Sequence, residues 1–371
     1  MADSNQAFTR EEPARATRLL IIQLALPHYR QELLDVLAGR PEIVFATGDS
    51  QAQAGVTAAV RGDNVWRLPR NRFFLSKRLI WQSLPWRHVL GSSTVVVELN
   101  PRIISTWLTI AGRRIARRRT LAWGHVHPRA GRFASTASVR HAMRSMLDGM
   151  IVYTHGEAAD YRRLHPSQQV FVAANALYRR EEIHGSTSTG PRTDFIVIGR
   201  LVESKKPLLA IQAFRLFVQQ NPSARLVLLG SGPLAGVVGL EAADLVADGR
   251  VCLAGDVTDV VGLRDAFSSA VAMFAPGYVG LNVTQSLGFG VPVVYPDSDP
   301  HAPEAELLDA SNSWSFASNS AESAQIALDA AWQRRHDVDG RMSERAQLVK
   351  ARYAIEDMAE GFIEAARARY E

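Results

Sequence analysis

A single cysteine, Cys252, stands among 371 residues. One thiol builds neither an internal disulfide framework nor a cysteine-based metal cage, and it fits a reducing compartment. Long apolar runs are missing too. RLLIIQLALP, from Arg18 to Pro27, stops far short of the ~18–20 residues that span a bilayer and suits a buried strand. Residues 1–17, MADSNQAFTREEPARAT, have no apolar core, so they read as a disordered leader and not as a signal sequence. A cytoplasmic protein is expected. There is no short-period repeat, no low-complexity tract, no His/Cys cluster at zinc spacing, and neither a G-x-x-x-x-G-K-[ST] nor a G-x-S-x-G motif.

Acidic residues are scarce in one half only. The net charge of +5 hides +12 over residues 1–185 and −7 over the remainder. The basic half holds GRRIARRR (Gly112–Arg119) and RNRFFLSKRLIWQSLPWR (Arg70–Arg87). Arginine interleaved with Phe and Trp suits a solvated face or an anionic membrane surface. With no nucleic-acid-binding motif beside it, a nucleic-acid partner is not expected.

What the chain does have is alternation. RLLIIQLAL, EIVFATG, STVVVELN, TLAWGH, GMIVYT and VFVAANAL are apolar strand candidates separated by segments of helical spacing. REEIHGSTSTGPRT (Arg180–Thr193) then breaks the pattern with Gly, Ser and Thr. It restarts with DFIVIGR, ARLVLLGSGP, RVCLAGDV, AVAMFAPG and VPVVYPD. Continuous apolar strands alternating with helices imply parallel sheets covered on both faces. The expected organisation is a domain over 18–180, a linker at 181–193, a second domain over 194–345, and a helix over 346–371 packing back towards the first. This is an α/β protein of two Rossmann-like doubly wound domains facing a cleft, with ligands beyond the carboxyl ends of the strands.

Chemistry concentrates in the second half. In GRLVESKK (Gly199–Lys206), Gly199 turns the chain where a strand ends, and Arg200 and Lys205 reach out from one loop. A planar guanidinium beside a compact ammonium suits a diphosphate. GSGP after ARLVLL is a tight turn lacking the third glycine of a dinucleotide fingerprint. In GYVGLNVTQSLGFGVPVV (Gly277–Val294), Gly280, Leu281 and Asn282 start a helix whose free N–H groups form an anion site.

The ordered set GRLVxxKK, LxLLGSGP, GDV and APGxxGLxxxxxLxxGxPVV resembles the C-terminal half of retaining glycosyltransferases of the GT-B fold, glycosyltransferase family 4. The resemblance is dense over residues 194–310 and weaker towards the N-terminus. It implies that Arg200 and Lys205 neutralise a departing nucleotide diphosphate, and that Gly280 and Leu281 meet the donor through backbone N–H groups. It puts Gly277 and Gln285 where the family usually has two glutamates, the first contacting the donor sugar and the second holding the ribose hydroxyls. A glutamine keeps an acceptor oxygen and still binds ribose. Glycine does not, which leaves Glu304 in PHAPEAE as a substitute or as an ordinary surface carboxylate. Retaining transfer in this family is thought to need no protein nucleophile there, so the departure argues for altered donor recognition.

In the first half, His125 of LAWGHVHP follows a strand, at a place where relatives carry a histidine near the donor sugar; His127 reads as structural. His28, Tyr29 and Arg30 of ALPHYR, and Asn100 and Arg102 of ELNPR, are acceptor-side candidates. Asn175 reads as a turn residue. Asp297 and Asp299 in PDSDP are spaced like metal-binding carboxylates, but a doubly wound pattern with Arg, Lys and a helix dipole implies chemistry without metal or cofactor. The expected function is retaining transfer of a sugar from a nucleotide sugar to a saccharide or lipid-linked acceptor, in polysaccharide or glycoconjugate biosynthesis, with peripheral membrane contact. The alternatives are a non-catalytic sugar-nucleotide-binding protein partnering an active transferase, and a GT-B sugar-nucleotide epimerase.

Overall fold

The computed structural model describes residues 18–48, 60–127, 137–186 and 190–368. The expected leader at 1–17 lies outside them. The chain divides into two compact units, residues 1–177 with 355–371, and residues 178–354.

The first unit is built on a seven-stranded sheet. Its strands are β1 (Leu19–Gln23), β2 (Ile43–Thr47), β3 (Val65–Arg67), β6 (Thr94–Glu98), β7 (Arg119–Trp123), β8 (Gly149–Val152) and β9 (Gln169–Val172). They run in the order β3-β2-β1-β6-β7-β8-β9, and every pair is parallel. The interior strand β1, LLIIQ, is buried at all five positions, as a parallel strand covered on both faces must be. Between β3 and β6 an antiparallel hairpin, β4 (Arg72–Phe74) and β5 (Leu79–Trp81), lifts Phe74 and Leu75 into solvent. Its turn sets Leu75, Ser76 and Lys77 in succession at positive φ.

The basic runs do not form one cationic face. Arg113 is 0% exposed, and its guanidinium donates to the carbonyls of Val89, Ser92, Ser93 and Arg119 and to Thr120 Oγ1. Burial lowers its pKa to about 10. Arg119 is buried as well, donating to Ala365 O in the last helix and to Ala368 O just past its end. Arg114, Arg117 and Arg118 are the exposed members, beside an 85% exposed Ile115. Two of the arginines in this run are therefore internal struts, because each sits where several carbonyls converge and only a forked donor serves them all.

The second unit carries six strands, β10 (Asp194–Ile198), β11 (Arg225–Leu229), β12 (Val251–Gly255), β13 (Ala270–Phe274), β14 (Val293–Pro296) and β15 (Ser313–Phe316). Their order is β12-β11-β10-β13-β14-β15, again wholly parallel. Phe195, Phe217 and Trp332 pack edge to face beneath this sheet, with Phe195–Phe217 centroids 5.2 Å apart. Cys252 lies exposed on the edge strand β12.

The C-terminal segment divides. The helix Met342–Lys350 belongs to the second unit, whereas Ile355–Arg367 belongs to the first. There Phe362 packs edge-on against Phe45 of β2 and Trp123 of β7, with centroids 5.6 and 5.0 Å apart. The return to the first unit thus begins at residue 355 and not at 346, and residues 178–193, the expected linker among them, fall within the second unit. Among the described residues no helix is long and apolar enough to cross a membrane.

Candidate functional site

Each sheet reverses its strand order once, between β1 and β6 and between β10 and β13. The loops leaving the carboxyl ends of such strands splay apart and open a crevice. In both units the candidate residues gather at that place.

In the second unit, the loop after β10 meets the loop after β13. Gly199, at φ 122°, turns the chain out of β10 and presents Arg200, whose exposed guanidinium has no bonding partner among the described residues. Lys205 ends a short 3-10 turn, Glu203–Lys205. Its Nζ donates to Tyr278 O at 2.8 Å and lies 5.1 Å above the Tyr278 ring. Gly199, Arg200, Lys205, Gly277, Tyr278 and Asn282 line one narrow hollow.

The glycine at 277 has a steric reason. Tyr278 N–H donates to Ser204 O at 2.9 Å, which draws the two loops into backbone contact. A Cβ at position 277 would sit 2.6 Å from Ser204 O and 3.0 Å from the carbonyl carbon of Lys205, closer than side chains are tolerated. The space a larger side chain would take is filled by the loop that carries Arg200 and Lys205.

The helix Leu281–Gly288 starts beside this contact. Gly280 N–H is capped by Asn282 Oδ1 at 2.8 Å, which leaves the N–H groups of Leu281 and Asn282 to open the helix. Gln285 is buried and its Nε2 donates to Tyr178 Oη at 2.7 Å. One amide hydrogen and the carbonyl oxygen are left over from that bond. Glu304 is 1% exposed, so it is not a surface carboxylate. Asp299 pairs with Lys206 Nζ at 2.7 Å, and Asp297 accepts from the Ser298 hydroxyl. Among the described residues no cluster of His, Cys, Asp and Glu is arranged to hold a metal ion.

His301, which no sequence motif marks, braces the same loop. Its Nδ1 accepts from Val279 N–H at 3.2 Å and its Nε2–H donates to Pro296 O at 2.6 Å. The first bond requires an unprotonated Nδ1, and so the neutral ring, whereas the second survives protonation. Burial pushes its pKa below the usual histidine value, and Lys205 and Lys206 add to the effect, while the bond to Pro296 and the charge of Asp299 oppose it.

In the first unit, a pocket of about 550 Å³ opens at the ends of β1, β6 and β7. His125 stands in its wall, its ring centroid 4.6 Å from that of Tyr153. A buried carboxylate, Glu157, holds the loop: Oε1 accepts from Val126 N–H at 2.8 Å and Oε2 from Tyr153 N–H at 3.2 Å. His125 Nδ1 lies 3.4 Å from Glu157 Oε1, near enough for attraction but not aligned for a hydrogen bond. His127 lies 4.0 Å from Asp160.

The acceptor-side candidates separate. Tyr29, Arg30, Asn100 and Arg102 line this pocket, whereas His28 is exposed beside it and its ring meets Tyr29 edge-on. Arg30 is largely committed to the fold, donating to Asn175 Oδ1, Ala176 O and Met358 Sδ. Asn175 is therefore the partner of Arg30 and more than a turn residue. Asn100 donates to Glu98 Oε1 at 3.2 Å and accepts from Arg102 N–H at 3.2 Å, and the Arg102 guanidinium bonds Lys77 O. Glu98, Arg140, Glu157 and His301 were not singled out from the sequence. Glu98 was within reach, since it opens the ELNPR stretch.

Among curated protein sequences, none matches this chain. Solved structures do. Anabaena HepE in complex with UDP is 13% identical and superposes with a TM-score of 0.65, covering 94% of this chain and 98% of that one. Sucrose-phosphate synthase from Thermosynechococcus elongatus is 14% identical, with a TM-score of 0.63 over 94% of this chain and 98% of that one. A TarM variant from S. aureus, in complex with fondaparinux, α-GlcNAc-glycerol and UDP, is 13% identical with a TM-score of 0.56. The match covers 80% of this chain, which spans only 62% of that TarM chain. These likenesses confirm the two-domain α/β architecture, GT-B. Residues 179–349, nearly all of the second unit, match the family model of the glycosyl transferases group 1.

Proposed function

We propose that the chain is a retaining, metal-independent glycosyltransferase of family 4. It moves a sugar from a nucleotide-sugar donor held by the second unit to a saccharide or lipid-linked acceptor held by the first. The observation that carries this reading is the grouping of Arg200, Lys205 and the start of the helix Leu281–Gly288 around one hollow beyond β10 and β13.

That grouping answers the central problem of sugar transfer, which is the negative charge that builds on the departing diphosphate. Arg200 offers an unspent planar fork, Lys205 a fixed point charge, and the helix two N–H donors. The diphosphate oxygen in turn accepts the proton of the incoming hydroxyl on the same face. Gly277 contributes no group to the donor sugar; it permits the loop contact that aims the two cations. On this reading His125, in the wall of the first unit's pocket, is the polar group that meets the reacting sugar. Anabaena HepE and S. aureus TarM were solved with UDP, which favours uracil as the donor base. The exposed Arg114, Arg117 and Arg118 beside Ile115 suit a peripheral contact with an anionic membrane at the cytoplasmic face, as polysaccharide or glycoconjugate assembly on a lipid carrier requires.

Calorimetric titration with UDP, GDP, TDP and ADP, without metal, tests the reading. One nucleotide is expected to bind, and Arg200→Ala to weaken it by about tenfold or more, since a charge-assisted hydrogen bond contributes about 1.5–3 kcal/mol. Absence of binding at millimolar nucleotide overturns the donor assignment. Binding without transfer or donor hydrolysis would favour a non-catalytic partner of an active enzyme.

A further inference from the structure

The pocket of the first unit holds more polar capacity than its own residues satisfy. Arg140, on the helix Ala137–Ser145, is half-buried, and its guanidinium makes no hydrogen bond among the described residues. Its electrostatic partner is Glu98, yet the two are not within ion-pair distance of 4.0 Å. Glu98 accepts two hydrogen bonds, from Leu24 N–H at 3.1 Å and from Asn100 at 3.2 Å. A carboxylate has about four acceptor sites, so about two remain. Trp123 Nε1 and Gln23 Nε2, in the same wall, are buried donors without an acceptor among the described residues.

A desolvated guanidinium with no partner is costly. Burial lowers the Arg140 pKa, opposed by the charge of Glu98, and raises that of Glu98, opposed first by its bonds to Leu24 and Asn100 and then by the charge of Arg140. Arg102 and Arg30 add positive charge to the wall, against Glu98 as its one carboxylate among the described residues. Tyr29, Trp123 and Tyr153 supply flat apolar faces of the kind on which sugar rings stack.

We propose that this pocket selects an acceptor saccharide carrying an acidic group, with Arg140 taking the anion and Glu98 accepting a neighbouring hydroxyl. The proposal rests on the reading that the first unit holds the acceptor. A neutral sugar leaves the guanidinium unpaired, and sites built around a buried polar group reject ligands that cannot pair it. The acidic group is a sugar carboxylate or a sugar phosphate; Arg140 serves both through the same fork.

Saturation-transfer NMR titrations of the full chain test it, with methyl glucuronide, glucose 1-phosphate and neutral methyl glucoside as probes. At least one anionic probe is expected to bind about tenfold or more tightly than the neutral one, which corresponds to about 1.4 kcal/mol. Arg140→Gln is expected to abolish that preference, and Arg140→Lys to keep part of it. UDP titration of the same samples verifies that the second unit is intact. A carboxylate-only preference assigns a uronic acid, and a phosphate-only preference a sugar phosphate. Equal binding of charged and neutral probes, no binding of either anion, or an unchanged preference in Arg140→Gln overturns the proposal. Absence of probe binding by the unsubstituted chain, with UDP binding intact, counts against this pocket alone. Anion selectivity without nucleotide binding leaves the pocket standing and counts against the donor assignment.

Discussion

At the scale of single residues, Gly277 shows how a side chain's absence is set by its neighbours. The sequence states that a glutamate's usual place is empty; only the structure shows that Ser204 O would lie 2.6 Å from its Cβ. Gly277→Glu is expected to push the loop carrying Arg200 and Lys205 outward, at a cost of about 1–3 kcal/mol, and to weaken nucleotide binding by about tenfold or more. Tighter binding by the variant would show that the loop contact is not what excludes the side chain. His301 gives a second residue-scale expectation. Its folded pKa is depressed, so the unfolded chain takes up a proton first. The stability it contributes is present above about pH 6.5, its ordinary pKa, and is lost as the pH falls through the folded value. Protonation puts a hydrogen on Nδ1, facing Val279 N–H, and breaks the brace on the Gly277–Gly280 loop. Nucleotide affinity is expected to fall as the pH drops from about 7.5 to about 5.5. In His301→Gln, which cannot titrate, that part of the fall should disappear; an identical profile would remove His301 from the account.

At the scale of elements, strands with continuous apolar runs were legible in the sequence, because burial on both faces leaves no choice of residue. LLIIQ, TVVVE and AVAMF are buried at nearly every position. The short or half-exposed strands were not legible. β15, SWSF, and β3, VWR, carry too little pattern to separate from loop. The β4–β5 hairpin was hidden for another reason. Its turn sets Leu75, Ser76 and Lys77 at positive φ, where glycine or asparagine would have announced it. In the candidate site, Arg200, Lys205 and the start of the helix Leu281–Gly288 were readable because each lies in a motif beside a strand end. Glu157 and Arg140 were not, since Glu157 braces the His125 loop and Arg140 lines the pocket from helices that lie 32 and 15 positions beyond His125. Among elements, the helix Ile355–Arg367 makes the clearest prediction. Phe362→Ala removes a ring wedged between Phe45 and Trp123 and should cost about 3–5 kcal/mol. Hydrogen exchange should show lost protection in β1, β2 and β7 while β10, β13 and β14 keep theirs; uniform loss would mean the two units do not unfold separately.

At the scale of the whole molecule, the charge division was an early sign of two bodies. It falls near residue 185, and the structure divides at 177/178. The sequence did not reveal that the basic half spends Arg113 and Arg119 on its own interior, because burial of an arginine depends on carbonyls that converge only after folding. The closing segment, residues 355–371, crosses back to the first unit, so chain order and unit membership part company at the end. The lone cysteine has a practical consequence at this scale. Cys252 is solvent-facing on the outermost strand of the second unit, so a maleimide fluorophore or nitroxide attaches to the native chain at one defined place. Replacing exposed Ile115 of the first unit with a thiol supplies the other end of a ruler. Pulsed electron resonance on that doubly labelled chain, with and without nucleotide, would report in ångströms whether the distance between the two labels changes when nucleotide binds.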